Sequence, residues 1–328
     1  MNRLQQILLA ILVVQIVVTG VVYMPKATAA QSGPLLANFK TEDVKSISMD
    51  DYDKNHVTIV RDGKDWKYVL QDGGLYPADG AKADTLLKKV ADIKANRLVT
   101  KTATSHKQLK VSENDFVRKV VLEMNDGTKY TFYAGTQPGG GTVHIRMDGQ
   151  NEVYLAGGLE SNDFGSTPAI WVDTAYINEK SDTLTSISVK NTKGTMGFVK
   201  NASGKWAFKD APDKPLDLDK FEPAANHVAE LRMTTPLGQK SDPAYQLDSP
   251  QAVVTFTVKK DSGEKTYTLQ IGAKDTQRDA YYVKYSESPY YAMSESFFVE
   301  DWATKSKEDF IAQPTPTPAA GAPADPGA

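Results

Sequence analysis

VKSISM, residues 44–49, is followed by Trp66, and both return later: LTSISV occupies residues 184–189 and Trp206 follows it. Each pair is separated by 140 residues. The correspondence continues with a small drift. Tyr76-Pro77 matches Lys214-Pro215, and Val90 and Ile93 match Val228 and Leu231, all at 138 residues. Leu109 matches Leu247, and Ile145 and Arg146 match Val283 and Lys284, at the same spacing. DGTKYTFYAG from Asp126 matches SGEKTYTLQIG from Ser262, and Tyr154 matches Tyr291. A nearly constant offset with loop-sized drift is what tandem copies of one unit produce. The unit is too long for a solenoid repeat of roughly 20–50 residues. It is near the commonest domain size of about 100–150 residues.

Within the first copy, Val44 to Met49 alternates apolar and polar residues and predicts a strand with Val44, Ile47 or Met49 partly buried. Val57 to Val60 predicts a second strand. Asp62-Gly63 turns the chain into a third that carries Trp66, Tyr68 and Leu70. Ser203-Gly204 makes the same turn before Trp206 and Phe208. A helix follows in each copy. Asp79 caps the first, whose inner face is Ala83, Leu86 or Leu87, Val90 and Ile93. The second is expected over Lys220 to Arg232, with Phe221, Ala224, Val228 and Leu231 inward and Pro223 tolerable only within the first turn.

The clearest hairpin runs Val120, Leu122, Met124, then Asn125-Asp126-Gly127, then Tyr130, Phe132, Ala134. Its counterpart runs Val254, Phe256, Val258, then Asp261-Ser262-Gly263, then Tyr267, Leu269, Ile271. Strands over Val143 to Met147 and Val153 to Leu155 follow, matched by Ala280 to Tyr285 and Tyr290 to Met293. Each copy closes on an aromatic stretch with Trp171 or Trp302. One helix among about seven strands is an α+β unit with a mainly antiparallel sheet. The expected division is residues 1–30 as a leader, 31–177 and 178–312 as two homologous domains, and 313–328 as a disordered Pro/Ala-rich tail.

The leader sets the expected compartment. Arg3 precedes an apolar run over residues 7–24, broken by Gln15, Thr19 and Gly20. A spanning helix needs about 20 residues, and a cleavable signal core is shorter, about 7–15. Length therefore favours an uncleaved single-pass anchor with the rest of the chain outside the cytoplasm. Ala27-Thr28-Ala29 offers a cleavage site, and cleavage near Ala29 would give a secreted product. The chain has 38 Lys and Arg against 41 Asp and Glu, net −3, which gives no electrostatic case for nucleic acid. The absence of cysteine excludes disulfides, thiolate zinc sites, cysteine nucleophiles and a lipid-bearing leader cysteine.

The stretches VKSISM, GKDW, YPAD, VVLEMNDGTKYTFYAG and HIRMDGQNEVYL, behind an amino-terminal apolar segment, resemble a bacterial family of membrane-anchored domains of unknown function, numbered 4340. The resemblance covers Leu36 to Ile311 as two copies. Genes of that family often lie beside an ABC-type transporter and its gliding-type auxiliary protein, so the resemblance implies an extracytoplasmic accessory subunit. It brings no catalytic residue. One departure stands out: copy two keeps the family-like YQLDSP (residues 245–250), whereas copy one has KQLKVS (residues 107–112), which predicts a reshaped loop.

Chemistry-bearing patterns are sparse. The histidines are His56, His106, His144 and His227, and none sits in an HxxxH or HExxH pair. Asp51, Asp53 and Asn55 open like a calcium loop. His56 stands where that loop needs glycine, and Asp62 where it needs a bidentate acid, so a polar turn is the better reading. PGGG (residues 138–141) lacks the Lys-Ser/Thr of a phosphate loop, and GSTP (residues 165–168) is not a nucleophile elbow. Asp217 and Asp219 read as helix caps. Neither a metal nor a cofactor is expected.

His144 and Arg146 share a strand face, as do Tyr282 and Lys284 in copy two. With Tyr290 they form the candidate partner surface, against the simpler reading of a polar sheet face. The resulting expectation is a non-enzymatic, membrane-tethered binding protein, an accessory of an ABC-type transport or surface-assembly complex. The alternatives are a cell-envelope glycan-binding module using the copy-two tyrosines and, last, an unrecognised hydrolase.

Overall fold

The two matched stretches, residues 44–49 and 184–189, each lie in a strand with the same defect. β1 (Val44–Asp51) pairs with a later strand so that Val44 faces Met124 and Ser46 faces Glu123, leaving Lys45 unmatched. Leu184 and Ser186 face Val258 and Thr257 in the same way, leaving Thr185 unmatched. This bulge puts residues three apart on one face. Val44, Ile47 and Met49 are therefore all fully buried, where simple alternation would set Val44 on the face opposite Ile47 and Met49. The computed structural model describes residues 33–313 and, in isolation, Gln15. The expected anchor and the expected tail from residue 314 lie outside the described residues. Among the described residues no helix is long and apolar enough to cross a membrane.

The first half contains β1, β2 (His56–Asp62), β3 (Asp65–Val69), β4 (Leu75–Pro77), α1 (Gly80–Ala91), β5 (Leu98–Thr100), α2 (Ala103–Gln108), β6 (Val111–Ser112), β7 (Asp115–Phe116), β8 (Arg118–Met124), β9 (Lys129–Ala134), β10 (Thr142–Met147) and β11 (Val153–Gly157). The second contains β12 (Leu184–Asn191), β13 (Gly194–Lys200), β14 (Trp206–Phe208), α3 (Leu218–Ala229), β15 (Thr235–Gly238), β16 (Ala252–Lys260), β17 (Gly263–Asp275), β18 (Ala280–Tyr285), β19 (Tyr291–Glu295) and α4 (Ser296–Thr304). The first sheet has the order β4-β3-β2-β1-β8-β9-β10-β11-β5, and the second β14-β13-β12-β16-β17-β18-β19-β15. The order is the same except that β4 has no strand counterpart. All pairings within both sheets are antiparallel. The expected α+β class with mainly antiparallel sheets stands.

Each sheet packs a capped helix. Asp79 accepts from Lys82 N at 3.0 Å, and Asp217 from Lys220 N at 3.3 Å, as N-caps do. α1 buries Ala83, Leu86, Leu87 and Val90. α3 buries Phe221, Ala224, Ala225, Val228 and Ala229. The cap at Asp217 starts α3 two residues before the expected Lys220, so Pro223 sits past the first turn and removes one helix hydrogen bond. α4 was not expected: the stretch around Trp302 is helical and packs its buried Val299 and Trp302 toward α3 and the sheet.

The outer face of each sheet carries a cover, and each cover needs a glycine. A Cβ at Gly135 would overlap the Leu109 carbonyl oxygen and come within 2.8 Å of the Lys110 carbonyl. A Cβ at Gly272 would overlap the Tyr245 carbonyl and come within 3.1 Å of the Leu247 side chain. In the first sheet the cover is α2 with β6 and β7, where KQLKVS had predicted a reshaped loop. In the second it is the single turn Pro243–Tyr245.

Candidate functional site

The two sheets meet where the segment after Trp171 crosses from one to the other. Tyr176 N donates to Leu231 O at 2.9 Å, and Met233 N donates to Thr174 O at 2.8 Å. Tyr176 is buried, and its hydroxyl donates to Tyr290 O at 2.6 Å while accepting from Tyr285 N at 3.1 Å. Burial pushes its pKa up to about 12, so it stays a neutral donor. Tyr76 of β4 meets Tyr290 edge to face, with ring centroids 4.7 Å apart, and Tyr290 Oη donates to Leu75 O at 3.4 Å. We expect Tyr176→Phe to cost about 1–3 kcal/mol, because the buried Tyr285 amide loses its bond to the hydroxyl and the Tyr290 carbonyl keeps only Ser288 Oγ. The urea midpoint of the full chain checks this.

Beside this seam is an open cleft of about 380 Å³, lined by Leu70, Asp72, Leu75, Gln239, Lys240 and Tyr290 together with Gly73 and Gly74. Asp72 accepts from Gly74 N at 2.9 Å, and its carboxylate lies against Gly238, where a Cβ would come within 2.7 Å of it. Gly238 has φ 107°, at the irregular end of β15. Tyr245 stands near: burial first, then Asp242, Tyr282 and Asp72, raise its pKa. Tyr245 stacks on Tyr282 at 4.7 Å and lies 5.8 Å from Tyr291. The cleft thus offers a carboxylate, an amide and an ammonium beside several tyrosine rings. Asp72, Gln239, Lys240 and Tyr245 were not singled out from sequence, because only the seam between the sheets brings them together.

The five expected surface residues do not form one surface. His144 and Arg146 are 8% and 4% exposed, under the α2–β7 cover. His144 Nδ1 lies 2.9 Å from Thr136 O. Arg146 donates to Val111 O at 2.6 Å and Gln150 O at 2.9 Å, with its guanidinium 4.7 Å from the Tyr133 ring centre. Arg146 thus ties the cover to the sheet through Val111, while His144 is bonded to Thr136 in the β9–β10 connection. Neither a polar open face nor a docking face describes them, because residues 103–117 fold back over the sheet. Tyr282 and Lys284 are half-buried. Lys284 lies over the Tyr291 ring at 5.4 Å and donates to Ser288 O, and burial lowers its pKa. Of the five, Tyr290 alone lines the cleft.

The Asp51–Asn55 turn is closed on itself. Asp51 accepts from Asn55 N and Nδ2, both at 2.9 Å, and from Ser166 Oγ at 2.6 Å, with Arg118 at 4.0 Å. These donors take the oxygens a calcium ion would need. Among the described residues no three or more acids and histidines gather as a metal site. Burial pushes the Asp51 pKa up, but the bonds from Ser166 and Asn55 and the Arg118 charge outweigh it and hold it below 3.8. A depressed carboxylate pKa stabilises the fold above the unfolded value, and that stability is lost as pH falls through the folded value. Ser166→Ala should therefore cost about 1.5–3 kcal/mol near neutral pH. The difference from wild type should shrink below pH 3.8, and urea titrations across pH would show it.

No curated protein and no solved structure matches the chain. A family model does match, over residues 66–250, as one stretch running from β3 in the first sheet to just before β16 in the second. That is not the pair of matches over Leu36 to Ile311 that the sequence resemblance suggested. It still covers more than half of the 328 residues, and the chain therefore belongs to the family described as a domain of unknown function, DUF4340.

Proposed function

We propose that this chain is a membrane-tethered, extracytoplasmic binding protein, built from two tandem copies of one α+β unit and acting as an accessory subunit of an ABC-type transport or surface-assembly complex. The observation that carries the binding role is the seam. Tyr176, Tyr290 and the 174–177 segment fasten one sheet to the other, so the pair is a preorganised platform, and its cleft displays Asp72, Gln239, Lys240 and Tyr290 side by side. Preorganisation lowers the ordering cost of binding a partner. The shared strand order and the shared bulge support the tandem reading. The apolar run over residues 7–24 supports the tether.

The test is crosslinking and affinity mass spectrometry from native membranes, with a tag after Gln313. Recovery of a transporter permease or its auxiliary protein, lost on Lys240→Glu, is the expected result. Recovery of no transporter component would contradict the accessory role.

A second reading, binding of a cell-envelope glycan, is favoured by the tyrosine rings beside the cleft's polar groups, an arrangement suited to a sugar's apolar face and hydroxyls. It requires polysaccharide pull-down signal that falls with Tyr282→Ala and Tyr290→Ala. Signal that survives both substitutions would contradict it. For the hydrolase reading, His144 is buried under its cover and lies away from the cleft.

A further inference from the structure

β15 and β5 occupy the same place in their sheets but meet different surroundings. Shifted by 138 residues, the registers coincide: Leu98 and Thr100 pair with Tyr154 and Val153, as Pro236 and Gly238 pair with Ala292 and Tyr291. The chain also arrives beside each strand in the same manner. Leu35 N donates to Ile93 O, as Tyr176 N does to Leu231 O, and isolated bridges join Pro34 to Lys94 and Ala175 to Arg232. In the second sheet, the β15 side is covered by what precedes it, namely the first sheet's Asp72 turn and Tyr76. By the same geometry, Pro34 and Leu35 enter the first sheet at its β5 side.

Nothing among the described residues covers that side. Val99 is 45% exposed, and Lys94, Arg97 and Lys101 are exposed around it. Lys101 pairs with Glu152 at 3.2 Å. Among the described residues neither Lys94 nor Arg97 has an ion pair. Asp92 is the one acid between residues 92 and 102.

We propose that this edge, through Lys94, Arg97 and Lys101, rests on the anionic headgroups of the bilayer that holds the tether. The inference depends on reading residues 7–24 as a membrane anchor. An extended chain reaches about 3.5 Å per residue, so the nine steps from Met24 to Gly33 hold the first described residues within roughly 30 Å of the apolar layer. Lys94 is bridged to Pro34, at the foot of that tether. Cations close to an anionic bilayer each strengthen attachment roughly fivefold. The competing explanation is that the cations only guard an edge strand against pairing with another chain.

The chain has no cysteine, so one introduced thiol takes one label. The test reconstitutes full-length Val99→Cys, carrying a fluorophore, in nanodiscs containing brominated quencher lipids and either phosphatidylglycerol or phosphatidylcholine alone. Ser262→Cys, in the β16–β17 turn, is the control. The expected result is quenching at position 99 well above that at 262, in phosphatidylglycerol only and weakened by high salt. Adding Lys94→Gln and Arg97→Gln should cut the docked-to-undocked ratio roughly 25-fold, at about fivefold per cation.

Equal quenching at the two positions, or none of the expected change with lipid charge or the double substitution, would overturn the headgroup contact while the chain stays on the disc. Label protection that needs another membrane protein would also overturn it. A chain that leaves the discs altogether would refute the anchor reading itself.

Discussion

Replacing Trp302 by alanine should cost the second half of the molecule about 4 kcal/mol. The indole is fully buried. It stacks on Phe310 at 5.7 Å and meets Phe198 and Phe221 edge-on at 6.1 and 6.2 Å. Its Nε1 donates to Ala224 O at 3.1 Å, tying α4 to α3. Truncation would open a cavity lined by rings that cannot collapse into it and would remove the indole's added bond to the Ala224 carbonyl. The half-buried Trp206, at the edge of the same cluster, should show a clearly smaller loss on the same substitution. Urea unfolding followed by the fluorescence of the remaining tryptophans distinguishes the two. A Trp302→Ala loss no larger than that of Trp206→Ala would mean that the aromatic cluster does not carry the core.

The second large effect is expected at a residue with no side chain. Gly272→Ala places a methyl group onto the Tyr245 carbonyl, and the obstacle is backbone, so no rotamer change relieves it. Overpacking of this kind costs about 1–3 kcal/mol and at times more; the upper end is expected here. The cover would lift, and Tyr245 would leave its stack on Tyr282. Gly135→Ala should act likewise on the first cover through Leu109 and Lys110. Alanine at Gly157 meets nothing within 4 Å and serves as the control. Hydrogen exchange over residues 243–247 reads the local opening, and the melting temperature reads the global cost. Unchanged exchange in that segment would contradict the proposed close approach.

Much of this fold was legible from period and punctuation. The strand alternation at Trp66, Tyr68 and Leu70, the Asn125-Asp126-Gly127 turn and the helix caps at Asp79 and Asp217 are local signals, and the structure places them as read. What escaped was decided at a distance. The bulge at Lys45 appears only once β1 is laid against β8. The helix at Ser296–Thr304 has a weak polar face because its outer side carries the exposed Phe297. His144 and Arg146 alternate like solvent-facing residues, yet the buried carbonyl of Val111 takes its donor from Arg146, and His144 turns in to Thr136. The cleft was the least legible part. Asp72 and Lys240 are far apart in sequence and unremarkable in their own segments, and only the Tyr176 seam sets them together.

We propose that residues 33–313 lie outside the cytoplasm on a membrane tether. One measurement addresses it directly: Ser262→Cys in the otherwise cysteine-free chain, exposed to a membrane-impermeant maleimide on intact cells of the native host. Labelling of intact cells should equal that of lysed cells, with the labelled chain sedimenting with membranes and released by detergent but not by salt. Labelling only after lysis would place these residues inside the cell, and a labelled chain found free in the medium would remove the tether.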